Sequence, residues 1–428
     1  MDYQQTLDWL YAQLPMFSRT GAAAYKPGLQ TSIDLDTYFH HPHKRFKSIH
    51  VGGTNGKGST SHMLASIFQS QGYRVGLYTS PHLVDFRERI RIDGEMIPKE
   101  AVTDFVNRFR DSNYQGHPSF FELTMMMAFD WFASSRVDYA VIEVGMGGRL
   151  DSTNIITPEL SIITNISKDH TQFLGATLPE IALEKAGIIK TGIPCVIGEA
   201  EGEIREVFEE KASMEGTTIL FAQDFMPLQR CTANPDGGLD CSSPICGDFY
   251  CELGGDYQKK NINTVLAAVC ELRRIGIELD DCAIREGLSN VTKLSGLAGR
   301  WMKVSDSPLT VCDTGHNEAG IRYTMEQLDR IAGARGGRKH IVIGFVADKD
   351  IDNIIELLPK DATYYLTQAS IPRALPAYQL QEKFRSHGIE GNVYPSPKEA
   401  TETARYQASA EDVIYIGGST FIVADFLT

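Results

Sequence analysis

A glycine-rich stretch at residues 51–60, with the sequence Val-Gly-Gly-Thr-Asn-Gly-Lys-Gly-Ser-Thr, constrains the fold more than any other part of the chain. The alternating β-branched run over 46–51 predicts a strand, and apolar residues at helical spacing over 61–68 predict a helix that ends near Gly72. Glycines at such a turn let backbone N–H groups face an anion, while Lys57 and the helix N-terminus add positive charge. The stretch therefore predicts a phosphate-binding loop in which Ser59 or Thr60 offers a hydroxyl to phosphate or Mg²⁺.

The stretch departs from the general pattern of phosphate loops, in which Gly and four further residues precede Gly-Lys-Ser/Thr. The first position of that pattern is Val51 here, and Gly58 separates Lys57 from Ser59. The alternative is an ordinary glycine-rich turn between a strand and a helix. Four glycines together with a lysine at that junction favour the phosphate-binding interpretation.

Length and composition limit the class of protein. A chain of 428 residues is too long for one hydrophobic core, so we expect two domains, at 1–295 and 296–428. The net charge of -14 argues against nucleic acid or an anionic membrane as the main partner. No apolar run is long enough for a membrane span and the start does not read as a signal peptide, so we expect a cytoplasmic protein. The eight cysteines lack a close pairing motif, which predicts reduced thiols that bind no metal.

Polar side chains follow three successive predicted strands. Ser80 lies at the end of the strand over 74–82, Glu143 lies near the end of the strand over 137–145, and His170 follows the strand over 160–166. Ligands of α/β sheets bind at the carboxyl ends of the strands, so the three side chains together favour a metal site. Taken singly, Glu143 reaching solvent and a structural His170 remain alternatives, and Lys185 on the helix 178–187 reads as a solvated lysine. A dinucleotide fingerprint at Gly145 and Gly147 is rejected, because Leu150 occupies the third glycine position.

The βα pattern restarts after a predicted linker over 291–300. Strands near 309–313, 340–346, 362–368, 392–394 and 413–417 alternate with helices near 317–332, 350–358, 376–387 and 397–408, which predicts a second, smaller parallel sheet. Its first strand ends in a further polar cluster that contains Asp313 and His316. The region over 200–257 is the least informative, and 231–255 predicts short strands or an irregular insertion.

The ordered motifs carry a family resemblance that spans almost the whole chain. They are Gly-Thr-Asn-Gly-Lys-Gly-Ser (53–59), Ser-Pro-His-Leu (80–83), Glu-Val-Gly-Met-Gly-Gly-Arg-Leu-Asp (143–151), Asp-His (169–170), Glu-Lys-Ala-Gly (184–187), Gly-Arg (299–300) and Asp-x-x-His-Asn (313–317). In this order they resemble the folylpolyglutamate synthase/dihydrofolate synthase family, the folate branch of the Mur ligase superfamily.

The resemblance implies an α/β fold with a P-loop-type ATPase domain, whose sheet is rich in parallel strands, and a smaller C-terminal Rossmann-like domain, with the active site between them. It implies an ATP-dependent ligase with two Mg²⁺ sites that joins L-glutamate to a folate-type carboxylate through an acyl phosphate and releases ADP and phosphate. Whether dihydropteroate, tetrahydrofolate polyglutamates or both are used stays open. We expect a monomer that binds these small molecules and neither nucleic acid nor membrane. The alternatives are another Mur-type amino-acid ligase and a nucleotide-binding switch without ligase chemistry.

The resemblance also implies roles for particular residues. Lys57, Lys185 and His316 would be catalytic, and Lys185 would carry a carbamate. Ser80 and Glu143 would hold the first metal ion and His170 the second. The nucleotide would contact Thr54, Asn55, Gly56, Lys57, Gly58, Ser59, Asn261, Arg300 and Asp313. The pterin-binding residues would be Lys26, Pro27, Gly28, Leu29, Ser119, Phe120, Phe121, Glu122, Leu150, Asp151 and Ser152.

Overall fold

The computed structural model describes residues 1–13, 28–112, 114–234, 237–347 and 351–428. Within these residues the chain forms two compact units. The first unit comprises Met1–Thr232, Leu239–Glu252 and Gln258–Leu297, and the second comprises Ala233–Gly238, Leu253–Tyr257 and Ala298–Thr428. The predicted domain boundary between residues 295 and 296 stays a prediction, and two short segments before it group with the second unit.

An eight-stranded sheet in the order β4-β3-β2-β5-β1-β6-β7-β8 forms the centre of the first unit. Only the pairings of β2 with β3 and of β3 with β4 are antiparallel. The central strand β1 is buried at every position except its first, because a parallel sheet is covered on both faces. The strands are β1 (Lys47–Gly52), β2 (Val75–Tyr78), β3 (Ile90–Ile92), β4 (Glu95–Met96), β5 (Tyr139–Glu143), β6 (Leu160–Ile163), β7 (Cys195–Ile197) and β8 (Ile219–Phe221).

Helices cover both faces of this sheet. A Met-rich helix is present at Phe120–Ser134, and its three consecutive methionines are buried in the core. No helix in the described part of the chain is long and apolar enough to cross a membrane. The α-helices of this unit are Tyr3–Gln13, Gln30–Tyr38, Lys57–Ser70, Lys99–Asp111, Phe120–Ser134, Thr171–Leu174, Leu178–Ala186, Gly202–Met214, Ala222–Phe225, Gln258–Arg274, Asp281–Ser289 and Val291–Ser295, and the 3₁₀ helices are Pro42–Arg45, Phe86–Arg89 and Ser152–Ile155.

A small sheet follows where the sequence predicts short strands. Its order is β11-β10-β9, with β9 at Arg230–Ala233, β10 at Leu239–Ser243 and β11 at Gly247–Cys251. The predicted linker over 291–300 is wrong in its first half, which forms the helix Val291–Ser295. That helix ends at Gly296, which adopts a left-handed conformation (φ +74°).

The second unit holds a six-stranded sheet in the order β12-β13-β17-β14-β15-β16. All five predicted strands are present, but the prediction of a purely parallel sheet is wrong, because β12 pairs with β13 in antiparallel fashion. Only two residues separate β12 from β13, and so short a connection permits only a hairpin. The strands are β12 (Met302–Asp306), β13 (Leu309–Cys312), β14 (Lys339–Ile343), β15 (Thr363–Leu366), β16 (Gly391–Val393) and β17 (Val413–Gly417), and the helices are Glu318–Arg335, Asp352–Ile355, Ala377–Ser386, Pro397–Gln407 and Thr420–Leu427. The predicted fold class is confirmed.

The close contact between the helices Lys57–Ser70 and Asp281–Ser289 gives a stability prediction. A Cβ atom at Gly287 would lie 2.6 Å from the Cα atom of Ile67, so the two backbones approach each other where only glycine fits. We expect Gly287→Ala to lower the free energy of unfolding by about 1–3 kcal/mol, since one helix must move away from the other. The midpoint of urea unfolding measures this change.

Gly333→Ala is the matched control, because this helical glycine has open space around its Cβ position. We expect it to raise the free energy of unfolding by roughly 0.4–1 kcal/mol, since alanine restricts the unfolded chain. Equal unfolding midpoints for the two variants would contradict the packing argument.

Candidate active site

Four adjacent parallel strands bring most of the predicted residues of the first unit to one edge of the sheet. In the order β2-β5-β1-β6, each strand ends in a segment that carries predicted site residues. Ser80 follows β2, Glu143 ends β5, the phosphate loop (residues 53–57) follows β1, and His170 follows β6. The carboxyl ends of parallel strands share one edge, so these segments lie at the same edge of the sheet.

The phosphate loop begins at Gly53, where any side chain would force neighbouring atoms to move. Gly53 has a φ of +135°, and a Cβ atom there would lie 1.9 Å from the Oγ1 atom of Thr164. The backbone of the loop therefore lies directly against the end of β6. This approach fixes where the loop leaves the sheet.

Hydrogen bonds then hold the loop to the segment after β6. Thr54 donates its backbone N–H to the carbonyl oxygen of Asn165 (2.9 Å) and its hydroxyl to the carbonyl oxygen of Ser167 (3.1 Å). The Asn55 N–H donates to Oδ1 of Asn165 (3.0 Å), and the Thr164 hydroxyl donates to the carbonyl oxygen of Asn55 (2.6 Å). The loop conformation is thus preorganised by groups that the protein supplies itself.

Two lysines meet at one carbonyl group of the loop. Lys57 Nζ donates to the carbonyl oxygens of Gly53 (3.1 Å) and Thr54 (3.2 Å), and Lys185 Nζ donates to the same Gly53 oxygen (2.9 Å). Burial, followed by the positive charge of Lys57, lowers the pKa of Lys185 to about 7, although Asp169 and Asp151 oppose the change. The interpretation of Lys185 as a solvated lysine is wrong, because its side chain is 4% exposed.

The start of the helix Lys57–Ser70 contacts a second helix, Gln258–Arg274. Gln258 Nε2 donates to Oγ of the buried Ser59 (3.1 Å), and Asn261 Nδ2 donates to Oε1 of Gln258 (2.8 Å). A Cβ atom at Gly56, whose φ is +86°, would lie 2.2 Å from Oδ1 of Asn261. The structure therefore brings Asn261 directly against the loop, as a nucleotide-binding role requires.

Ser80 and Glu143 also lie together. The Ser80 backbone N–H donates to Oε2 of Glu143 (3.1 Å), and the carboxylate is 4% exposed. The alternative that Glu143 reaches solvent is therefore wrong. A hydroxyl and a carboxylate are oxygen ligands of the kind that Mg²⁺ prefers, and this ion typically takes only one or two carboxylates besides phosphate and water. The described residues contain no cluster of three or more His, Cys, Asp or Glu side chains arranged to hold a metal ion.

His170 lies beside Asp169 in the segment after β6. Its Nε2 atom is 3.9 Å from Oδ2 of Asp169, and its backbone is left-handed with a φ of 50°. The side chain is 31% exposed, so the imidazole remains accessible to a ligand. Asp169 is also one of the two carboxylates that act on Lys185.

The predicted pterin-binding residues fall into two groups. Phe121 and Asp151 meet at Gly145, since a Cβ atom there would lie 2.5 Å from the Phe121 ring and 3.2 Å from Oδ2 of Asp151. Burial raises the pKa of Asp151, although hydrogen bonds from Thr153 and Met146 oppose the change. Leu150 and Ser152, which flank Asp151, are half-buried.

Ser119 and Glu122 have a structural task. They form a reciprocal capping box at the start of the helix Phe120–Ser134, in which each side chain accepts a hydrogen bond from the other residue's backbone N–H. Phe120 is buried against the rings of Tyr11 and Phe86. Of the remaining predicted segment, Lys26 and Pro27 lie outside the described residues, while Gly28 and Leu29 directly precede the helix Gln30–Tyr38.

The second unit places its predicted residues around one carboxylate. Asp313 is 2% exposed and accepts hydrogen bonds from the Tyr257 hydroxyl (2.6 Å) and from the backbone N–H groups of Trp301 (2.7 Å) and Gly315 (2.7 Å). Arg300 donates to the Thr314 hydroxyl. The ring of His316 lies 3.0 Å from the carbonyl oxygen of Thr314.

A cavity of about 760 Å³ lies elsewhere on the first unit and contains none of the predicted site residues. It is lined by residues at the amino ends of β1 and β5, among them Lys47 and Tyr139, and therefore lies at the opposite end of these strands from the phosphate loop.

The sequence did not single out Asn165, Thr164 or Gln258, which hold the phosphate loop. Thr164 and Asn165 directly follow β6, whereas the strand predicted over 160–166 included both, so no local signal indicated that they lie beyond the end of the strand. Gln258 lies 199 residues from the serine that it contacts, and no local pattern indicates such a pair.

Known protein families and a curated relative match this chain. Two family models match, the Mur ligase middle domain over residues 51–224 and the Mur ligase glutamate ligase domain over residues 299–420. A Bacillus subtilis protein named dihydrofolate synthase/folylpolyglutamate synthase is 31% identical, covering 99% of this chain and 98% of its own. The sequence resemblance is thereby confirmed.

Solved structures agree over the full length. E. coli FolC in complex with DHPP and ADP has a TM-score of 0.85 at 28% identity and covers 100% of this chain and 97% of its own. A bifunctional folylpolyglutamate synthase/dihydrofolate synthase with Mn, AMPPNP and L-glutamate bound has a TM-score of 0.82 at 28% identity and covers 99% of this chain and 97% of its own. With both family models, the full-length relative and the phosphate loop in agreement, this chain belongs to the folylpolyglutamate synthase/dihydrofolate synthase family of Mur ligases.

Proposed function

We propose that this chain is an ATP-dependent ligase that joins the amine of L-glutamate to a folate-type carboxylate, either dihydropteroate, a tetrahydrofolate polyglutamate or both. A carboxylate does not react with an amine until one of its oxygens becomes a leaving group. Phosphoryl transfer from ATP provides this by forming an acyl phosphate, and attack by the glutamate amine then releases phosphate. ADP is the second product.

The shared edge of β2, β5, β1 and β6 is the observation that carries the proposal. It presents a phosphate loop, a buried carboxylate with a serine, and a histidine–aspartate pair on neighbouring strands. Phosphoryl transfer needs charge neutralisation and in-line positioning, which Lys57 and Mg²⁺ ions held by these groups would supply. In this proposal Thr54, Asn55, Gly56, Gly58 and Ser59 contact the phosphates with Lys57, while Asn261 contacts the nucleotide from the neighbouring helix.

The proposal includes two Mg²⁺ ions. Ser80 and Glu143 would hold the first, and His170 the second. Bound there, the ions would neutralise the negative charge of the phosphates. The Glu143 carboxylate is kept in place by the Ser80 N–H, so this ligand is oriented before any nucleotide arrives.

Lys185 is proposed to carry a carbamate. An amine attacks CO₂ only in its neutral form, and burial together with Lys57 lowers the pKa of Lys185 to about 7, which favours the neutral amine. As an ammonium, Lys185 would repel the second metal ion. As a carbamate, it would supply anionic oxygens near Asp169.

The remaining assignments complete the proposal. Arg300 and Asp313 would contact the nucleotide and His316 the reacting groups. Phe121, Leu150, Asp151 and Ser152 would bind the pterin with residues 26–29, 119, 120 and 122. The expected monomeric state and cytoplasmic location stay predictions.

Incubating the pure protein with ATP, glutamate and dihydropteroate tests the activity, with a tetrahydrofolate polyglutamate as the alternative acceptor. We expect ADP release that requires both glutamate and a folate-type acceptor. ADP release that needs neither would indicate a nucleotide switch, and release with a different acceptor would indicate another Mur-type ligase.

Lys57→Ala tests the phosphate loop. We expect turnover to fall by roughly 10²–10³-fold, since phosphate charge is left uncompensated in the transition state. The fold should persist, as measured by circular dichroism. Lys99→Ala is the matched control, because Lys99 also begins a helix of the same unit, and it should keep normal turnover. Near-normal turnover of a folded Lys57→Ala variant would overturn the assignment.

Glu143→Gln tests the first metal site. Glutamine keeps the shape of the side chain but loses the charge that a hard cation requires. Activity should therefore fall to the level measured without Mg²⁺ at every Mg²⁺ concentration. Glu159→Gln alters a carboxylate near the opposite end of the sheet and should leave the Mg²⁺ titration unchanged. If Glu143→Gln keeps the wild-type titration, the residue is structural.

Two substitutions at Lys185 test the carbamate. Lys185→Ala should be nearly inactive and partly rescued by acetate, which can fill the vacated anionic position. Lys185→Arg should stay inactive with and without acetate, because arginine keeps its positive charge and forms no carbamate. Product formation that depends on ATP and glutamate is the measurement.

Lys190→Ala is the matched control for these variants. Lys190 is a partly buried lysine that also donates to a backbone carbonyl oxygen, that of Asn154 (2.9 Å), and burial likewise lowers its pKa. This variant should be active and indifferent to acetate. Wild-type activity in Lys185→Arg would show that the carbamate assignment is wrong.

A further inference from the structure

Two cysteines on neighbouring strands of the small sheet lie unusually close together. The Sγ atoms of Cys231 on β9 and Cys241 on β10 are 2.7 Å apart. Ordinary non-bonded contacts even between carbon atoms measure about 3.5–4.0 Å, whereas a disulfide bond measures about 2.0 Å. The two thiols are therefore held well inside ordinary contact. The eight cysteines all lie in described residues, and none forms a disulfide in this structure.

The register of the hairpin explains the approach. Asn234 donates its backbone N–H to the carbonyl oxygen of Gly238 (2.8 Å), so residues 234 and 238 are a hydrogen-bonded pair. Such pairs alternate with non-hydrogen-bonded pairs along an antiparallel ladder, which places Cys231 opposite Cys241 in a non-hydrogen-bonded pair. Opposed Cα atoms there are about 4.5 Å apart, inside the range of about 4.4–6.8 Å that disulfides span.

We propose that Cys231 and Cys241 form a reversible disulfide, a modification site on the small sheet that is separate from the ligase chemistry. Cys231 is half-buried and accessible to a small oxidant, whereas Cys241 is 2% exposed. On the other side of β10, Phe249 of β11 lies opposite Cys241, whereas Cys251 lies opposite Leu239.

The difference in exposure sets the order of the reaction with a low-molecular-weight disulfide such as oxidised glutathione. The Cys231 thiolate attacks one sulfur of the oxidant and forms a mixed disulfide, which releases one glutathione thiolate. Cys241 then attacks Sγ of Cys231, forms the internal bond and releases the second glutathione. Two protein thiols are oxidised and one glutathione disulfide is reduced to two thiols, which take up the two protons. The hydrogen bond to Cys231, followed by burial, raises the pKa of Cys241, so it acts second.

Alkylation of the full-length chain tests the proposal. The protein is treated with oxidised glutathione, unfolded without reductant, alkylated with N-ethylmaleimide and analysed by intact mass and peptide mapping. We expect the loss of two alkylation sites and a cross-linked peptide pair that contains residues 231 and 241. Reduction with dithiothreitol should restore both sites.

Three variants distinguish this bond from general oxidation. Cys231→Ser should leave residue 241 open to alkylation after unfolding and should produce no internal cross-link. Cys282→Ser removes an exposed thiol outside the sheet and should form the bond as the wild type does. Cys251→Ser should also retain it. A wild type that keeps both alkylation sites, or that links either residue to a different cysteine, would overturn the proposal, and neither outcome depends on ligase activity.

Discussion

The candidate site depends on the backbone of a single residue, Gly53. Its α-carbon lies so close to Thr164 that a side chain would overlap the Thr164 hydroxyl, and its carbonyl oxygen accepts hydrogen bonds from both Lys57 and Lys185. Two ammonium groups at one oxygen repel each other, and the buried one responds with a lower pKa. The close approach and the lysine pair thus have one origin, which is the path of the backbone as it leaves β1.

The neighbouring strand makes that path possible. Thr54 and Asn55 are tied to Asn165 and Ser167 after β6, so the loop takes its shape from the protein before a ligand is present. The loop therefore keeps one conformation although its spacing departs from that of usual phosphate loops at Val51 and Gly58, and this agrees with the proposed phosphate-binding role.

Several motif residues have a structural task in addition to the one that the resemblance implies. Ser119 and Glu122 cap a helix, and Asp313 uses its carboxylate oxygens within its own unit. These contacts hold the elements that carry the proposed pterin and nucleotide residues. A substitution at such a position should therefore reduce both stability and binding. A substitution at Lys57, which lies in a partly exposed loop, should reduce binding and leave the fold intact.

The sequence by itself determined the strand–loop–helix at residues 47–70, the polar ends of β2, β5 and β6, the α/β class and the family, because strand periodicity, glycines and short motifs are local signals. It did not determine the burial of Lys185, the contact of Gln258 with Ser59, or the antiparallel edge strand β12. It also left Cys231 and Cys241 without a pairing motif. Each of these depends on which distant segments become neighbours, and only the tertiary structure decides that. Burial and the neighbouring Lys57 ammonium then lower the pKa of Lys185, an effect that the sequence alone does not reveal.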